Sequence, residues 1–394
     1  MEGWALNYIY LAERGVTPDQ CFEPAAIAVA GGKIAYVGPD QDEARRAVPG
    51  ASLREYPGCT AVPGFIDLHV HGGQGWDFYD CPPEAIGRIA EFYAARGTTT
   101  LLATVTTGQG QQMAAAIGKV AAYLGKPGPG ARVGGIYLEG PFCSHARRAT
   151  FRPEYLLAPD WQVLAPWVDK WGWAIKYVGL APELPGADQI IKALRARGIR
   201  TSVCHSDGSH EDLERALGLG VSHLTHFYNG MAPFNHRDPG LVGGALARGG
   251  VTVELIADLH HVHPLAIDIL LRCLGPEKVC LITDAMRGAG CPPGKYMISE
   301  QEAVVRGGKA LIGEDTLAGS LLTMAQGVRN LLALGYSERA VFTMAAKTPA
   351  QAGGFNDRGQ LKPGLLADLV FLDRRHRIKA TVVAGELAAV GEGD

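Results

Sequence analysis

Apolar runs of strand length alternate with stretches of helical periodicity through most of this chain. The runs are "VPGFIDLHV", "TTLLATVTT", "VGGIYLEG", "AIKYVGLAPE", "RTSVCHS", "VSHLTHFYN", "VTVELIAD" and "VCLITDA". Among them, residues 111–124, 187–197, 211–217, the stretch after His263 and residues 322–334 space their apolar positions as helices do. Roughly eight strand-then-helix units over about 300 residues predict a parallel α/β sheet, closed at that count into a (β/α)8 barrel. An open doubly wound sheet is the alternative, and the lack of a GxGxxG after the first run speaks against it. The two ends have another rhythm. "AAIAVA", a Gly31-Gly32-Lys33 turn and "IAYVG" answer "LADLVFLD" and "ATVVAGE" near the C-terminus, all short strands with turn residues between them. These predict a small β-sandwich domain built from residues 1–61 and 355–394, with the barrel over 62–354.

With 47% hydrophobic and 20% charged residues in 394, the chain is long enough to bury a large core. A net charge of -3 without a dense Lys/Arg block gives nucleic-acid or membrane-surface binding no electrostatic support. Glu2 and the broken apolar pattern after it do not resemble a signal peptide, and no run is long enough for a membrane span. Eight cysteines without a CxxC pair read as reduced thiols. The expected setting is the cytoplasm.

In a barrel the chemistry gathers at the C-terminal strand ends. There the sequence places His69 and His71, Glu139, His205, His223 and His226, and Asp284. A single strand-end histidine is most often a hydrogen-bonded structural residue. Imidazole or carboxylate at five strand ends is different, because each buried ionisable group is costly unless paired or metal-bound. The set predicts a metal. Histidine and glutamate suit zinc, iron or another first-row divalent ion, and with an open position such an ion makes a water acidic. Asp284 stands where a carboxylate can exchange protons. His223 reads as structural, since along a strand it would lie on the face opposite His226; His260 and His263 read likewise.

Taken together and in order, "PGFIDLHVHG", "YLEGPF", "CHS", "THFYNGM", "IADLHHVHP", "LITDA", "LAGSLLTM" and "LKPGLLADLV" resemble the amidohydrolase superfamily, and within it the N-acetylglucosamine-6-phosphate deacetylases. The resemblance spans nearly the whole chain. It implies a metal-dependent hydrolase that removes the N-acetyl group of a small phosphorylated amino sugar. It implies that Glu139, His205 and His226 bind the principal ion, zinc or iron, and that Asp284 is the general acid and base. His69 and His71 fall where some members bind a second ion, leaving one or two ions per subunit, with Glu139 as the bridge. Asn229 and Gly230 match positions that hold the sugar phosphate, His261 a substrate-contacting histidine, and Leu317 and Ala318 further substrate contacts. Arg237 matches an arginine that reaches the neighbouring subunit's substrate, which implies a homodimer.

Lys176, on "AIKYVG", would matter in relatives that use a carbamylated lysine, but Glu139 already supplies the bridging carboxylate. One departure stands out: Phe151 occupies the place of a histidine that contacts the sugar in the family, and a benzyl ring cannot replace an imidazole hydrogen bond. His145, in the same loop, is a candidate substitute. The departure keeps open another acylated amino-sugar phosphate, such as N-acetylgalactosamine 6-phosphate, or another amide. A barrel that has lost catalysis would have lost ligands, and none is missing.

Overall fold

The alternation closes into a parallel barrel in the computed structural model, which describes residues 7–126, 128, 130–298 and 300–391. The opening residues, on which the reading of Glu2 rests, and the last three residues of the C-terminal segment lie outside the described residues. The barrel strands are β1 (Phe65–Val70), β2 (Thr98–Thr106), β3 (Arg132–Phe142), β4 (Ile175–Leu180), β5 (Arg200–Val203), β6 (His223–Leu224), β7 (Thr252–Ile256) and β8 (Val279–Ile282). They pair in chain order, all parallel.

The seam between β1 and β8 is closed by backbone: the Asp284 N–H donates to the His69 carbonyl at 2.9 Å, and the N–H groups of His71 and Gly72 donate to Ala285 at 2.9 and 3.0 Å. Buried Asp67 locks this seam. Its carboxylate accepts the Thr283 N–H at 3.1 Å and the Thr283 hydroxyl at 2.6 Å. Burial pushes the Asp67 carboxyl up to about 7 against those hydrogen bonds.

Local sequence accounts for the outer helices. In His210–Leu219, Ser209 and Asp212 form a capping box and Gly220 ends the helix in a left-handed conformation, while Leu213 and Ala216 face inward. The barrel interior is a packed core of Ile66, Leu68, Leu102, Tyr137, Tyr177, Ile256 and Ile282. Among the described residues no helix is long and apolar enough to cross a membrane.

Strands from both ends of the chain share one eight-stranded sheet. Its central strand, Ser52–Pro63, runs parallel to Tyr8–Val16 and antiparallel to Leu369–Leu372, then leads straight into β1. The sheet gathers Tyr10, Ile27, Val29, Phe371 and Val382 into one cluster, and the helix Gln41–Ala47 packs Ala44 against Ile9, Ala26 and Ala28 in another.

A further four-stranded antiparallel sheet, unforeseen in the apolar pattern, is inserted after β8: Gly294–Ile298, Gln301–Arg306, Lys309–Ile312 and Thr316–Leu317. Its strands are short and half exposed, so they carry no continuous apolar run. It brings Ile298 and Leu317 to the barrel mouth.

Candidate metal centre

Three strand ends leave extended geometry at the same level of the barrel. His205 after β5, His226 after β6 and Asp284 after β8 have φ of 43°, 28° and 50°. Non-glycine residues rarely adopt this left-handed region, and each such residue is strained by about 1–3 kcal/mol. The turn takes each side chain out of strand alternation at the mouth, where His69 and His71 at the end of β1 and Glu139 on β3 meet them.

Glu139 lies at the centre. Its Oε1 is 3.0 Å from His226 Nε2, 3.2 Å from His205 Nε2 and 3.7 Å from His69 Nε2, and its Oε2 is 3.4 Å from His71 Nε2. Asp284 Oδ1 is 3.1 Å from His71 Nε2 and 3.5 Å from His69 Nε2. Two groups with metal-ligand spacing result: Glu139, His205 and His226 with Cys204, and His69, His71 and Asp284.

The far nitrogens decide what the near ones present. His205 Nδ1 lies 2.8 Å from the Arg147 carbonyl, and His226 Nδ1 lies 3.1 Å from the Asn229 carbonyl. A carbonyl only accepts, so each Nδ1 carries a hydrogen and each Nε2 is the nitrogen turned toward Glu139, where its lone pair is available to a cation. A lone pair facing a carboxylate oxygen at 3.0–3.2 Å is repulsive unless positive charge stands between them. Separations of about 3.0–3.5 Å are also those of ligands at about 2.0–2.2 Å around one ion. The residues therefore fit a divalent cation.

Electrostatics agree. Burial alone would raise Glu139, but the imidazoles of His205, His226, His71 and His69 hold it well below the usual carboxylate range. Burial alone would lower His71, yet the bond to Asp284 and the charge of Glu139 push it up to about 9. Asp284 is held below its ordinary value by His71 and His69 against burial. The cluster attracts positive charge strongly.

The cavity beside the cluster has a volume of about 160 Å³. Asn229, Gly230, His261 and Leu317 line it, as expected for substrate contacts, and Ala318 is buried without lining it. Gly230 has φ of 62°, and a Cβ there would stand 2.7 Å from His205 Nδ1, so the chain can pass the imidazole this closely only as glycine. His261 is fixed by Asp258, whose carboxylate takes its Nδ1–H at 2.7 Å. Phe151, Met286 and Ile298 supply the apolar wall, with the Phe151 ring 4.4 Å from that of His205. Arg237 is exposed on the loop after β6 and does not reach the cavity.

His145 is also exposed and lines nothing here, so it does not fill the place left by Phe151. Lys176 borders a cleft at the other end of the barrel. His263 caps the helix Pro264–Leu274 and His260 is exposed. His223 stays out of the cluster, but alternation is not the reason: β6 ends at Leu224, and His223 points into the barrel, with Nε2 3.0 Å from Glu254 and Nδ1 2.6 Å from the Thr252 hydroxyl.

Sequence reasoning missed Glu254, a fully buried carboxylate beneath the cluster, whose signal was a charge inside the apolar run "VTVELIAD". It also placed no cysteine at the site, whereas Cys204 sits against Glu139 and His226, its thiol pushed well up by burial.

Known proteins share this sequence pattern and fold. The chain matches the Amidohydrolase family over residues 60–388. It is 36% identical over 328 residues to the N-acetylglucosamine-6-phosphate deacetylase of Vibrio furnissii, covering 83% of this chain and 82% of that one. It is 33% identical over 386 residues to the N-acetylgalactosamine-6-phosphate deacetylase of Escherichia coli O157:H7, covering 98% and 100%. A mutant N-acetyl-D-glucosamine-6-phosphate deacetylase from Mycobacterium smegmatis, in complex with N-acetyl-D-glucosamine-6-phosphate, has the same fold with a TM-score of 0.90 and 30% identity, covering 98% of this chain and 100% of that one.

Proposed function

The chain belongs to the amidohydrolase family, with relatives among the N-acetylglucosamine-6-phosphate deacetylases, and from this we propose how its mouth residues carry out the reaction. The protein hydrolyses the acetamide of N-acetylglucosamine 6-phosphate, releasing acetate and glucosamine 6-phosphate. The observation that carries the assignment of roles is Glu139 Oε1 within 3.2 Å of two Nε2 atoms whose far nitrogens are held by carbonyls.

Glu139, His205 and His226 would hold the principal ion, zinc or iron, and His69, His71 and Asp284, which lie beside Glu139, would hold a second. A bound divalent cation supplies Lewis acidity, toward the amide carbonyl and toward the acidity of a water at neutral pH. Asp284 is ionised and almost enclosed, so its Oδ1 takes the proton of the attacking water and returns it to the leaving amine as the C–N bond breaks. His261, with Nδ1 occupied by Asp258, offers Nε2 to the substrate. Asn229 and Gly230 hold the sugar phosphate from the loop after β6, and Leu317 lines the cavity with them.

Arg237 is exposed in this chain and carries a charge suited to phosphate, which supports a homodimer in which it serves the partner's site. Eight free cysteines, five of them buried, support a reducing cytoplasm. The apolar cluster of Tyr10, Ile27, Val29, Phe371 and Val382, confined to the terminal segments, supports a terminal β domain (1–61 and 355–394) beside a barrel (62–354), with Val16, Val370, Leu372 and Ile378 packed into the barrel's own cluster.

The test is acetate release by purified enzyme of known metal content from the 6-phosphates of N-acetylglucosamine and N-acetylgalactosamine and from unphosphorylated N-acetylglucosamine. The first is expected to turn over best. Release from none of the three overturns the reading, and preference for the galactosamine substrate corrects the sugar.

A further inference from the structure

Glu254 lies in the middle of β7 with no exposed surface, and neither proton transfer nor direct ligation employs it. Three groups converge on its carboxylate. Oε2 lies 3.0 Å from His69 Nδ1 and accepts the backbone N–H of His226 at 3.0 Å, while Oε1 lies 3.0 Å from His223 Nε2. His69 and His226 both face Glu139 Oε1, at 3.7 and 3.0 Å. The His69 ring is also packed against Tyr137, with centroids 4.9 Å apart, and His223 against Tyr177 at 5.0 Å.

A carboxylate only accepts, so it keeps the hydrogen of His69 on Nδ1 and leaves the Nε2 lone pair facing His71, Glu139 and Asp284. The bond to the His226 N–H braces the left-handed turn that carries the other ligand. We propose that Glu254 is the positioning residue of the metal centre: it fixes the tautomer and aim of His69, braces the backbone of His226, and lends the imidazole negative charge. This inference rests on the metal reading of the mouth.

Glutamine at 254 can preserve all three hydrogen bonds. Its oxygen can accept from His69 and His226 while its amide donates to His223, whose other nitrogen can then donate to the Thr252 hydroxyl, which passes its own hydrogen to the Ser222 carbonyl. Glu254→Gln thus removes charge with little change of shape, and Glu254→Leu removes the acceptor.

The experiment titrates cobalt(II) into chelator-stripped wild type, Glu254→Gln, Glu254→Leu, His69→Asn and the His69→Asn/Glu254→Gln double variant, reading visible absorption. The unfolding midpoint of each metal-free chain identifies the folded variants. Affinity for the ion that His69 serves is expected to fall about tenfold in Glu254→Gln and up to about a hundredfold in Glu254→Leu, the range for residues that orient metal ligands. The double variant is expected to bind no more weakly than His69→Asn alone. Wild-type affinity in folded Glu254→Gln, or losses that add in the double variant, overturns the proposal even if Glu254→Leu fails to fold. A wild type that binds no cobalt overturns the metal reading itself, and this inference falls with it.

Discussion

At the C-terminal mouth, His69, Glu139, His205, His226 and Asp284 are all buried around a cavity of about 160 Å³, with His71 nearly so. At the opposite end, Arg132, Lys176 and Asp357 border a cleft of about 830 Å³ with Trp173 exposed at its edge. The larger space is the less demanding one. Its ion pair, Arg358 to Asp357 at 2.9 Å, leaves the carboxylate half exposed, and such pairs contribute about 0–1 kcal/mol. The charges at the mouth are buried, and desolvated charge is unfavourable by several kcal/mol per ion unless something compensates it. Two carboxylates and four imidazoles kept there require compensation, and they are spaced to take it from a cation. Desolvation of charge, rather than the size of a cavity, marks the working end of this barrel.

The comparison is broken most sharply at Asp284. Asp284→Asn is expected to lower kcat by at least about a hundredfold while the ion held by Glu139, His205 and His226 is retained. Near-normal turnover, with metal measured on the same sample, would remove Asp284 from proton transfer, and loss of metal would make it an essential ligand instead.

Arg237 tests whether an exposed charge at the mouth becomes functional when a partner encloses it. Arg237→Ala is expected to raise KM for the phosphorylated substrate about tenfold or more, the scale of hydrogen bonds to charged groups, with little change for the unphosphorylated sugar. Mixing Arg237→Ala and Asp284→Asn chains should restore some activity through hybrid dimers; a protein monomeric at assay concentration contradicts the shared site.

Phe151 tests how much of the apolar wall is needed. Phe151→His should raise kcat/KM on N-acetylglucosamine 6-phosphate by about tenfold, by pairing a substrate group that the phenyl ring leaves unpaired. An unchanged value across the glucosamine, galactosamine and mannosamine derivatives would show that packing against His205 matters more than the lost hydrogen bond.

The smallest effect belongs to the far cleft. Lys176→Ala and Arg132→Ala are expected to leave kcat/KM and metal content within about twofold of wild type, as surface substitutions away from special features do. A tenfold loss in either would show that the two ends are coupled.

Much of this molecule was legible in one dimension. Apolar runs marked every barrel strand, because burial along a strand or helix repeats with that element's own period. The strand-end positions of His69, His71, Glu139, His205, His226 and Asp284 followed from the same runs. Other features were decided only by the closed barrel. Glu254 reaches His69 across 185 positions of sequence, and Asp67 holds Thr283 across 216. Cys204 joins the cluster because β5 ends beside β6 and one strand away from β3, and Ile298 enters the site on a sheet whose half-exposed strands carry no apolar run. The left-handed turns at His205, His226 and Asp284 had no signature either, since histidine and aspartate, although enriched there among non-glycine residues, adopt that backbone at only a small fraction of positions. Periodicity reports how often a chain is buried; which buried polar groups share a hydrogen bond depends on the strands that closure sets side by side.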